Sequence, residues 1–411
     1  MKKLALFLAV TILLLECSAC SKELSGSDAP SADGRTELVL ATDSNSAILR
    51  SMVRSFNDSN DSYSIKTIEY GNSKDKTIDT LRTEIIAGNA PDIYALSQGF
   101  LSDVKIPIYE DLLPYLDADA QYGSEALVSG LYKALTKAGS LYYIPSEFFI
   151  TSFTARKSIV GERTSITMEE ANTYANAMGT GTTVFPAWLS RENMLAYIVN
   201  FSLSKFLNPE TGECDFLNPE FTKLLEQCKS QESIPSVNFS DSENSSLLQN
   251  SVLQTTLAFI GLRNMYGTDY CFVGFPTDDG SGSEFNIGQR FSISSQSKHK
   301  DVAWEFVRSV MSEENQRETE FFPSTQAELE KRINLALEGD PAVTEAKLEP
   351  EEADKLMGLI NSITLVSEST NSDIYHIISD EASAYFLGQN TVEETVELIQ
   401  NRVSLYLAEK S

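Results

Sequence analysis

The first third of the chain alternates between short apolar runs and apolar residues at helical spacing. The run Leu38–Ala41 predicts a strand, and the apolar positions from Ile48 to Phe56 recur with the period of a helix. A second strand is predicted at 64–70, a second helix at 78–86 and a third strand at 92–96. This β-α-β-α-β order predicts an α/β fold with a mostly parallel sheet, right-handed crossovers and helices on its faces.

Polar side chains follow each of the three predicted strands. The segments 42–44, 70–72 and 97–99 carry hydroxyls, amides, one carboxylate and one aromatic ring. Ligands of open α/β sheets bind beyond the carboxyl ends of the strands, so these side chains favour a neutral ligand rich in hydroxyl groups. Core packing is the alternative for the tyrosine, and no glycine-rich phosphate loop follows any of the strands. The candidate ligand-binding residues at these ends are Asp43, Tyr70 and Gln98.

The C-terminal segment carries the pattern of an amphipathic helix. Thr391 and Glu394 have the spacing of a capping box, and an apolar stripe follows. We expect this stripe to pack in the core rather than to bind a partner helix. Its residues are Val392, Val396, Ile399, Val403 and Tyr406.

The first twenty residues have the order of an export signal. Lys2 and Lys3 precede the apolar run Leu4–Leu15, which is shorter than the roughly 20 residues that span a bilayer as a helix. The small residues Ser18 and Ala19 follow it. We therefore expect the run to be removed as a signal peptide.

The end of this signal resembles a bacterial lipobox, in which signal peptidase II cuts before a diacylglyceryl-modified cysteine. The modified residue would be Cys20, and the resemblance departs from the usual pattern at Cys17, where leucine is commoner. The predicted layout is a lipoprotein signal peptide at 1–19 and a flexible polar tether at 20–35, with attachment to the extracytoplasmic face of a cell membrane. An ordinary secretory signal with an incidental cysteine is the alternative.

The composition of the chain disfavours several classes of ligand and of catalytic site. The chain has 32 Lys and Arg against 59 Asp and Glu, a formal net charge of −27, which disfavours nucleic acid and anionic lipid as partners. With only two histidines, the sequence offers little material for a zinc site or a Ser-His-Asp triad, so we expect no metal, no cofactor and no catalytic residues. The spacing of Cys214, Cys228 and Cys271 leaves open whether two of them form a disulfide.

Several segments resemble the sugar-type, maltose-binding-protein-like solute-binding proteins of ABC importers. The resemblance covers nearly the whole mature body, and its motifs occur in the order that the family shows. The matching segments are Gly88–Leu96, Asp111–Leu116, Leu141–Pro145, Phe291–Ser297, Ala303–Val307, Phe322–Thr325 and Gln400–Glu409.

This resemblance implies a two-lobed fold of the periplasmic-binding-protein type II class, with a ligand cleft between the lobes. By analogy, lobe 1 comprises 36–145 and 289–312, and lobe 2 comprises 146–288 and 313–411. The family implies closure of the lobes on the ligand and delivery to the transmembrane permease subunits of an ABC transporter. A monomer is expected.

Four further candidate ligand-binding residues come from lobe 2. Glu147 follows the first expected crossover, with an ordinary solvated carboxylate as the alternative, and Trp188 lies in a loop-like stretch, with core packing as the alternative. The segment 258–264 resembles a family strand that ends in a glycine-containing loop, which makes Arg263 and Tyr266 candidates. A surface salt bridge and a packed ring are their alternatives.

The expected function is capture of a carbohydrate, with an oligosaccharide favoured, by a receptor without catalysis. An exported hydrolase that uses two carboxylates is one alternative, and a binding protein for a non-sugar solute is the other. The sequence does not identify the sugar, its length or its linkage.

Overall fold

The computed structural model describes residues 34–71, 76–97, 107–179, 181–186, 188–208, 211–231, 246–339, 347–367 and 373–410. The predicted signal peptide, Cys20 and most of the predicted tether lie outside these ranges. Among the helices of the described ranges, none combines the length and the apolar character needed to cross a membrane.

The described elements alternate between strands and helices along the chain. Up to the middle of the chain they are β1 (Thr36–Thr42), α1 (Ala47–Ser59), β2 (Tyr63–Glu69), α2 (Ile78–Ile86), β3 (Ile93–Leu96), α3 (Leu113–Ala118), α4 (Ser129–Leu135), β4 (Ile144–Pro145), β5 (Glu147–Ala155), α5 (Lys157–Val160), α6 (Met168–Met178), α7 (Arg191–Phe206), β6 (Leu207–Asn208) and β7 (Glu213–Cys214). The remainder are α8 (Pro219–Ser230), β8 (Gln249–Leu253), α9 (Ala258–Tyr266), β9 (Cys271–Phe272), β10 (Glu284–Ile287), β11 (Arg290–Ile293), α10 (Lys300–Arg308), α11 (Glu313–Arg317), β12 (Phe322–Pro323), α12 (Gln326–Glu338), α13 (Pro350–Ser362), β13 (Leu365–Val366), α14 (Asp373–Phe386) and α15 (Val392–Lys410).

These elements form two compact units. Unit 1 comprises the chain up to Leu112 together with Tyr142–Ile144 and Arg290–Val310, and unit 2 comprises Leu113–Leu141, Pro145–Gln289 and the chain from Met311 onward. The chain therefore changes unit after Leu112, Leu141, Ile144, Gln289 and Val310.

The units differ from the expected lobes over Leu113–Leu141, which the analogy placed in lobe 1. This segment packs within unit 2: the backbone N–H of Val128 donates to the Ser324 carbonyl at 2.9 Å. Gly130 lies so close to α13 that an added Cβ would be 2.1 Å from the Ile360 carbonyl oxygen. A glycine is required at this contact because any side chain would push α4 away from α13.

Unit 1 contains the predicted β-α-β-α-β order, which is confirmed. Its sheet has the order β2-β1-β3-β11-β4, with β1 parallel to both β2 and β3 and with β11 antiparallel to β3. The buried carboxylate of Asp92, the residue before β3, connects β1 with the segment after β11. It accepts the Val39 N–H at 3.0 Å and the Ser297 hydroxyl at 2.6 Å. Side-chain caps on Ser46 and Thr77 begin α1 and α2.

Unit 2 is built on a mixed sheet in which β5 is the central strand. The order is β12-β5-β10-β13, and β8 and β9 also pair with β5. A core of aromatic and aliphatic side chains lies between this sheet and helices α6, α7, α8, α14 and α15. The order of strands in unit 2 was not predicted from the sequence.

The C-terminal helix α15 confirms its predicted capping and packing. Thr391 and Glu394 exchange their side-chain and backbone hydrogen bonds at 2.8 and 3.2 Å. Of the predicted stripe, four residues are buried in the unit 2 core, namely Val392, Val396, Ile399 and Val403. Tyr406 instead donates its hydroxyl to Asp373 at 2.9 Å at the surface.

The strand expected by resemblance within 258–264 is wrong, since these residues lie in helix α9. The preceding segment, β8, is the strand that pairs with β5. Phe259 and Leu262, three residues apart, are the buried positions of α9. This spacing fits a helix that covers the unit 2 sheet with one face.

Candidate ligand-binding site

The carboxyl ends of β1 and β3 in unit 1 are tied together by two adjacent polar residues. Thr42 ends β1, and its hydroxyl donates to the Ala95 carbonyl on β3 at 2.7 Å. The next residue, Asp43, accepts the Ser97 backbone N–H at 2.9 Å and also the Ser97 hydroxyl. A carboxylate has about four acceptor positions, so these two bonds leave Asp43 acceptor capacity for hydroxyl donors of a ligand.

A cation and an aromatic ring adjoin the same edge. Arg290 begins β11 opposite Leu96, and its Nη1 donates to the Ser97 carbonyl at 2.7 Å. Its guanidinium carbon lies 5.4 Å from the centroid of the Tyr143 ring, a distance at which a cation and a π face attract. The Arg290 side chain is 7% exposed, so its position is fixed by the surrounding unit.

The edge therefore combines three chemical groups that recognise hydroxyl-rich ligands. Asp43 supplies acceptors, Arg290 supplies N–H donors, and Tyr143 supplies both a ring and a hydroxyl. Ser97 holds both Asp43 and Arg290, and Tyr143 packs against Arg290, which limits the entropy lost when a ligand binds.

Tyr70 lies at the end of β2 but faces the interior. Its side chain is 0% exposed, and its hydroxyl donates to Glu84 Oε2 at 2.6 Å. Lys76 Nζ binds the other oxygen of the same carboxylate at 2.9 Å. Tyr70 thus takes the core-packing alternative, and it offers a ligand neither a ring face nor a hydroxyl.

Gln98 lies outside the described residues, as does the lipidation candidate Cys20. Both remain predictions. For Gln98, the described neighbour Ser97 shows that the chain reaches the edge formed by Asp43 and Arg290.

In unit 2, Glu147 begins the central strand β5 and binds the backbone of a distant segment. Its Oε2 accepts the N–H of Phe321 at 2.8 Å. Burial raises the pKa of Glu147, while the backbone N–H groups of Phe321 and Glu320 and the charge of Arg332 oppose that rise. The carboxylate is therefore engaged by the protein rather than simply solvated.

Trp188 is displayed on a turn at the surface of unit 2. It is 38% exposed, whereas the next residue, Leu189, is buried and anchors the turn. Ser190 then caps α7 by accepting the Asn193 N–H at 3.2 Å. The ring is accessible to a ligand, as the prediction of a rim aromatic requires, and its role remains a prediction.

Arg263 and Tyr266 lie on α9 and take part in contacts of the fold. Arg263 donates from Nε to Glu352 Oε1 at 3.0 Å and from Nη2 to the other oxygen, which makes a two-point ion pair. Tyr266 lies under the Arg156 guanidinium, with 5.1 Å between the guanidinium carbon and the ring centroid. These contacts match the salt bridge and the packed ring given above as the alternatives.

The described residues of unit 2 line cavities away from the predicted residues. One of about 620 Å³ is bordered by α12 and by residues near Tyr122, and it is lined by four glutamates and Lys331. A smaller one of about 190 Å³ is lined mainly by serine and threonine hydroxyls around Gly280. None of the described candidate residues lines either cavity.

The described residues contain no group of three or more His, Cys, Asp and Glu side chains arranged to hold a metal ion. The thiols of Cys214, Cys228 and Cys271 are free. Cys228 and Cys271 are buried, and burial raises the pKa of both thiols, so they have little thiolate character.

Sequence reasoning missed several residues at these positions. Arg290 could have been found as a charged residue at the start of a predicted buried strand. Tyr143 lies within a segment that was used only for the resemblance.

The comparisons with known proteins agree on the fold. The family described as bacterial extracellular solute-binding protein matches residues 51–326. No match was found among curated proteins.

Solved structures of similar fold cover almost the whole chain. The sugar-binding protein MalE from Xanthomonas citri has a TM-score of 0.59 at 15% identity, covering 91% of this chain and 98% of that chain. A cyclic alpha-maltosyl-1,6-maltose binding protein from Arthrobacter globiformis has a TM-score of 0.55 at 15% identity, covering 92% and 100%. An ABC substrate-binding protein from Listeria monocytogenes in complex with cycloalternan has a TM-score of 0.53 at 15% identity, covering 91% and 99%.

At these identities the structural likeness establishes the two-lobed α/β fold that the resemblance implied. The family match extends over about two thirds of the sequence and includes β3, β5 and β11. The chain belongs to the bacterial extracellular solute-binding proteins.

Proposed function

We propose that the protein is a lipid-anchored receptor that captures a carbohydrate, with an oligosaccharide favoured, and delivers it to the permease of an ABC transporter. The observation that carries this proposal is the edge of unit 1, where Asp43, Ser97, Arg290 and Tyr143 are linked in one set of contacts. Sugars present fans of hydroxyls and flat C–H faces, which acceptors, planar donors and aromatic rings recognise.

The family supports binding and transport as the role. Structures of similar fold are described as a sugar-binding protein and as a protein in complex with cycloalternan. The lipid anchor rests on the sequence around Cys20, and an anchored receptor would have a raised effective concentration near its permease.

Titration of the purified protein with a panel of oligosaccharides tests the proposal. A specific ligand at 100 times its Kd should raise the free energy of unfolding by about 2.7 kcal/mol, which a thermal melt detects. Peptides and polyamines serve as the competing classes of solute. A melt that shifts with one of these and with no sugar would refute carbohydrate binding.

A matched pair of variants connects the response to the proposed edge. Asp43→Ala removes an acceptor from the edge, whereas Glu213→Gln changes an exposed glutamate in β7. We expect Asp43→Ala to weaken sugar binding and Glu213→Gln to leave it unchanged. Equal binding by the two variants would exclude Asp43 from the site.

Two further measurements separate this function from its alternatives. Release of reducing sugar from a polysaccharide during long incubation would indicate a hydrolase, whereas saturable binding with intact substrate supports a receptor. Closure of the lobes stays a prediction from the resemblance, and small-angle scattering with and without ligand measures it as a decrease in the radius of gyration.

A further inference from the structure

The segment Gln316–Phe321 of unit 2 is fixed by one arginine. The guanidinium of Arg332 on α12 donates to four backbone carbonyls of this segment. The acceptors and distances are Gln316 at 2.9 Å, Arg317 at 3.0 Å, Thr319 at 3.1 Å and Phe321 at 2.7 Å. A single side chain thus determines the path of the backbone that leads to Phe321.

The other side of Phe321 is fixed by Glu147. While Arg332 binds its carbonyl, the carboxylate of Glu147 accepts its N–H at 2.8 Å. Gly288 provides the room for this carboxylate, because a Cβ at 288 would be 2.8 Å from Glu147 Cγ. Both charges are partly removed from water, which raises the pKa of Glu147 and lowers that of Arg332. The N–H and the carbonyl of Phe321 are thus held by two charged side chains, which fixes the position of this residue.

The ring that this arrangement positions lies against Phe149. The ring centroids of Phe321 and Phe149 are 5.2 Å apart and the planes meet at 63°, an edge-to-face geometry. Both residues are only half-buried. The neighbours of Phe149 on β5, Phe148 and Ile150, are 0% exposed. Because side chains alternate along a strand, Phe149 lies on the opposite face from these two core residues.

The chain thus places one aromatic pair on each side of the β5–β12 ladder. Phe322 pairs with Phe148 in register, and their rings, 5.6 Å apart, lie in the core. Phe321 and Phe149 repeat the contact on the other face, where solvent reaches the rings. The second pair is not needed to fill the core, which suggests that its rings contact something other than the protein.

The pair lies next to the segments in which the chain crosses between the units. Glu147 is the second residue after the crossover at Pro145, and its carbonyl accepts the Gly288 N–H at 3.0 Å. Gly288 in turn is two residues before Arg290, which belongs to the edge of unit 1 described above. Along the sequence, Phe149 is four residues after Pro145, and Arg290 is the first residue after Gln289.

We propose that Phe149 and Phe321 form an aromatic surface on which the C–H face of a pyranose ring stacks, with Glu147 and Arg332 as positioning residues. This inference rests on the proposed carbohydrate-binding function and makes its ligand class narrower. Phenyl rings offer no hydrogen bonds, so they select area and shape. A cyclic sugar with mostly equatorial hydroxyls exposes a flat C–H face, whereas an open-chain alditol does not.

The amide of Asn286 supplies a polar neighbour for such a ring. Asn286 is opposite Phe149 on β10, is half-buried, and donates its side-chain N–H to Thr151 Oγ1 at 2.9 Å. Its side-chain oxygen is thereby oriented and can accept a sugar hydroxyl at the margin of the aromatic surface.

Calorimetric titration of the purified protein with the best sugar of the panel tests the inference. Phe149→Leu and Phe321→Leu keep apolar bulk but remove the rings, and each should weaken binding by about 10-fold or more. Phe321→Tyr keeps the ring and should stay within about threefold of the wild type. Leu217→Ala changes an exposed residue elsewhere in unit 2 and should have no effect.

The positioning role of Glu147 has its own readout. Glu147→Ala removes the acceptor of the Phe321 N–H and should weaken sugar binding, although the side chain itself need not touch the sugar. Glu147→Gln keeps an acceptor oxygen and should restore most of the affinity. Equal loss in both variants would overturn the positioning role, since it would mean that the charge itself is what binding requires.

A comparison that needs no variant completes the test. The wild type should bind a pyranoside at least about 10-fold more tightly than the open-chain alditol of equal carbon number. Equal affinity for the two, or unchanged affinity in both leucine variants, would overturn the stacking inference while leaving carbohydrate binding intact. Absence of binding to any sugar would instead overturn the proposed function, and the inference with it.

Discussion

The buried carboxyl group of Glu284 should make the stability of unit 2 depend on pH. Glu284 lies on β10 and is 4% exposed. It accepts the amide of Asn200 on α7 and the side chain of Ser367, and Thr151 lies opposite it on β5. The charge of Glu284 in turn raises the pKa of the Tyr197 hydroxyl, and no cation is among the described groups that shift the pKa of Glu284.

The size of the effect follows from the pKa. Burial raises the pKa of Glu284 to about 7, against hydrogen bonds from Asn200 and Ser367 that lower it. In the unfolded chain a glutamate titrates near pH 4.3, so folding shifts the group by between two and three units, or about 3 to 4 kcal/mol at about 1.4 kcal/mol for each unit.

The sign follows from which state holds the proton more tightly. The folded protein keeps the proton up to about pH 7, whereas the unfolded chain releases it near pH 4.3. The free energy that Glu284 contributes to the stability of the folded protein is therefore complete below about pH 4. It is lost as the pH rises from 4 to 7 and is absent above pH 7. In its protonated form the carboxyl group can also donate to the amide oxygen of Asn200, which is buried without a hydrogen-bond partner among the described residues.

Urea unfolding at pH 5, 6, 7 and 8 measures this effect. Glu284→Gln is neutral at every pH and retains the shape, so its stability relative to the wild type should increase by about 2 to 3 kcal/mol between pH 5 and pH 8. Glu213→Gln, at an exposed position, provides the control and should run parallel to the wild type. Parallel pH profiles for Glu284→Gln and the wild type would refute the assignment of a raised pKa to this group.

Three other substitutions test separate parts of the structure. Cys20→Ser should release the protein into the medium, as fractionation of cells would show, and retention in the membrane fraction would contradict lipidation at that residue. Gly130→Ala should destabilise unit 2 by about 1–3 kcal/mol, because its Cβ would meet the Ile360 carbonyl oxygen, and an unchanged melting temperature would argue against that packing. Arg263→Ala should lower the free energy of unfolding by about 1–3 kcal/mol, because it leaves the buried carboxylate of Glu352 without its two-point partner. The sugar affinity should not change. A loss of affinity without a loss of stability would return Arg263 to the binding site.

The order of elements in unit 1 was predictable because it is encoded locally. Each strand of the β-α-β-α-β series is a short apolar run, and each helix shows a helical period with a capping residue before it, as Ser46 and Thr77 illustrate. In unit 2 the partners of β5 come from β8, β9, β10 and β12, which are far apart in the sequence. Local periodicity contains no information about which of these distant strands pair.

The misplaced segment and the mistaken strand have the same physical origin. Nothing in the sequence of Leu113–Leu141 states that α4 packs on α13, since the contact depends on a glycine, Gly130, meeting a backbone carbonyl from another helix. The strand at 258–264 was expected from the resemblance, whereas the segment folds as helix α9 and buries Phe259 and Leu262 on one face. Tertiary contacts decided both cases.

The candidate site was predictable in position but not in orientation. The rule that ligands bind at the carboxyl ends of parallel strands led to Asp43 and to Tyr70 alike. The Tyr70 hydroxyl donates to Glu84, which also binds Lys76, and the tyrosine is buried. Asp43 instead accepts the Ser97 N–H at the edge of the sheet. A one-dimensional pattern cannot separate them, because the distinction lies in which neighbour satisfies each polar group.

Asp43 and Glu147 use their carboxylates in the same way. Each accepts a backbone N–H from a segment remote in sequence, Ser97 for Asp43 and Phe321 for Glu147. The Ser97 carbonyl accepts a hydrogen bond from Arg290. The Phe321 ring packs against Phe149. In a protein with a net charge of −27, a carboxylate that binds backbone dipoles adds less repulsion than one that faces other acids. Asp43 and Glu147 thus hold Ser97 and Phe321 in place, and the proposed binding function requires this kind of preorganisation because it limits the entropy lost on binding.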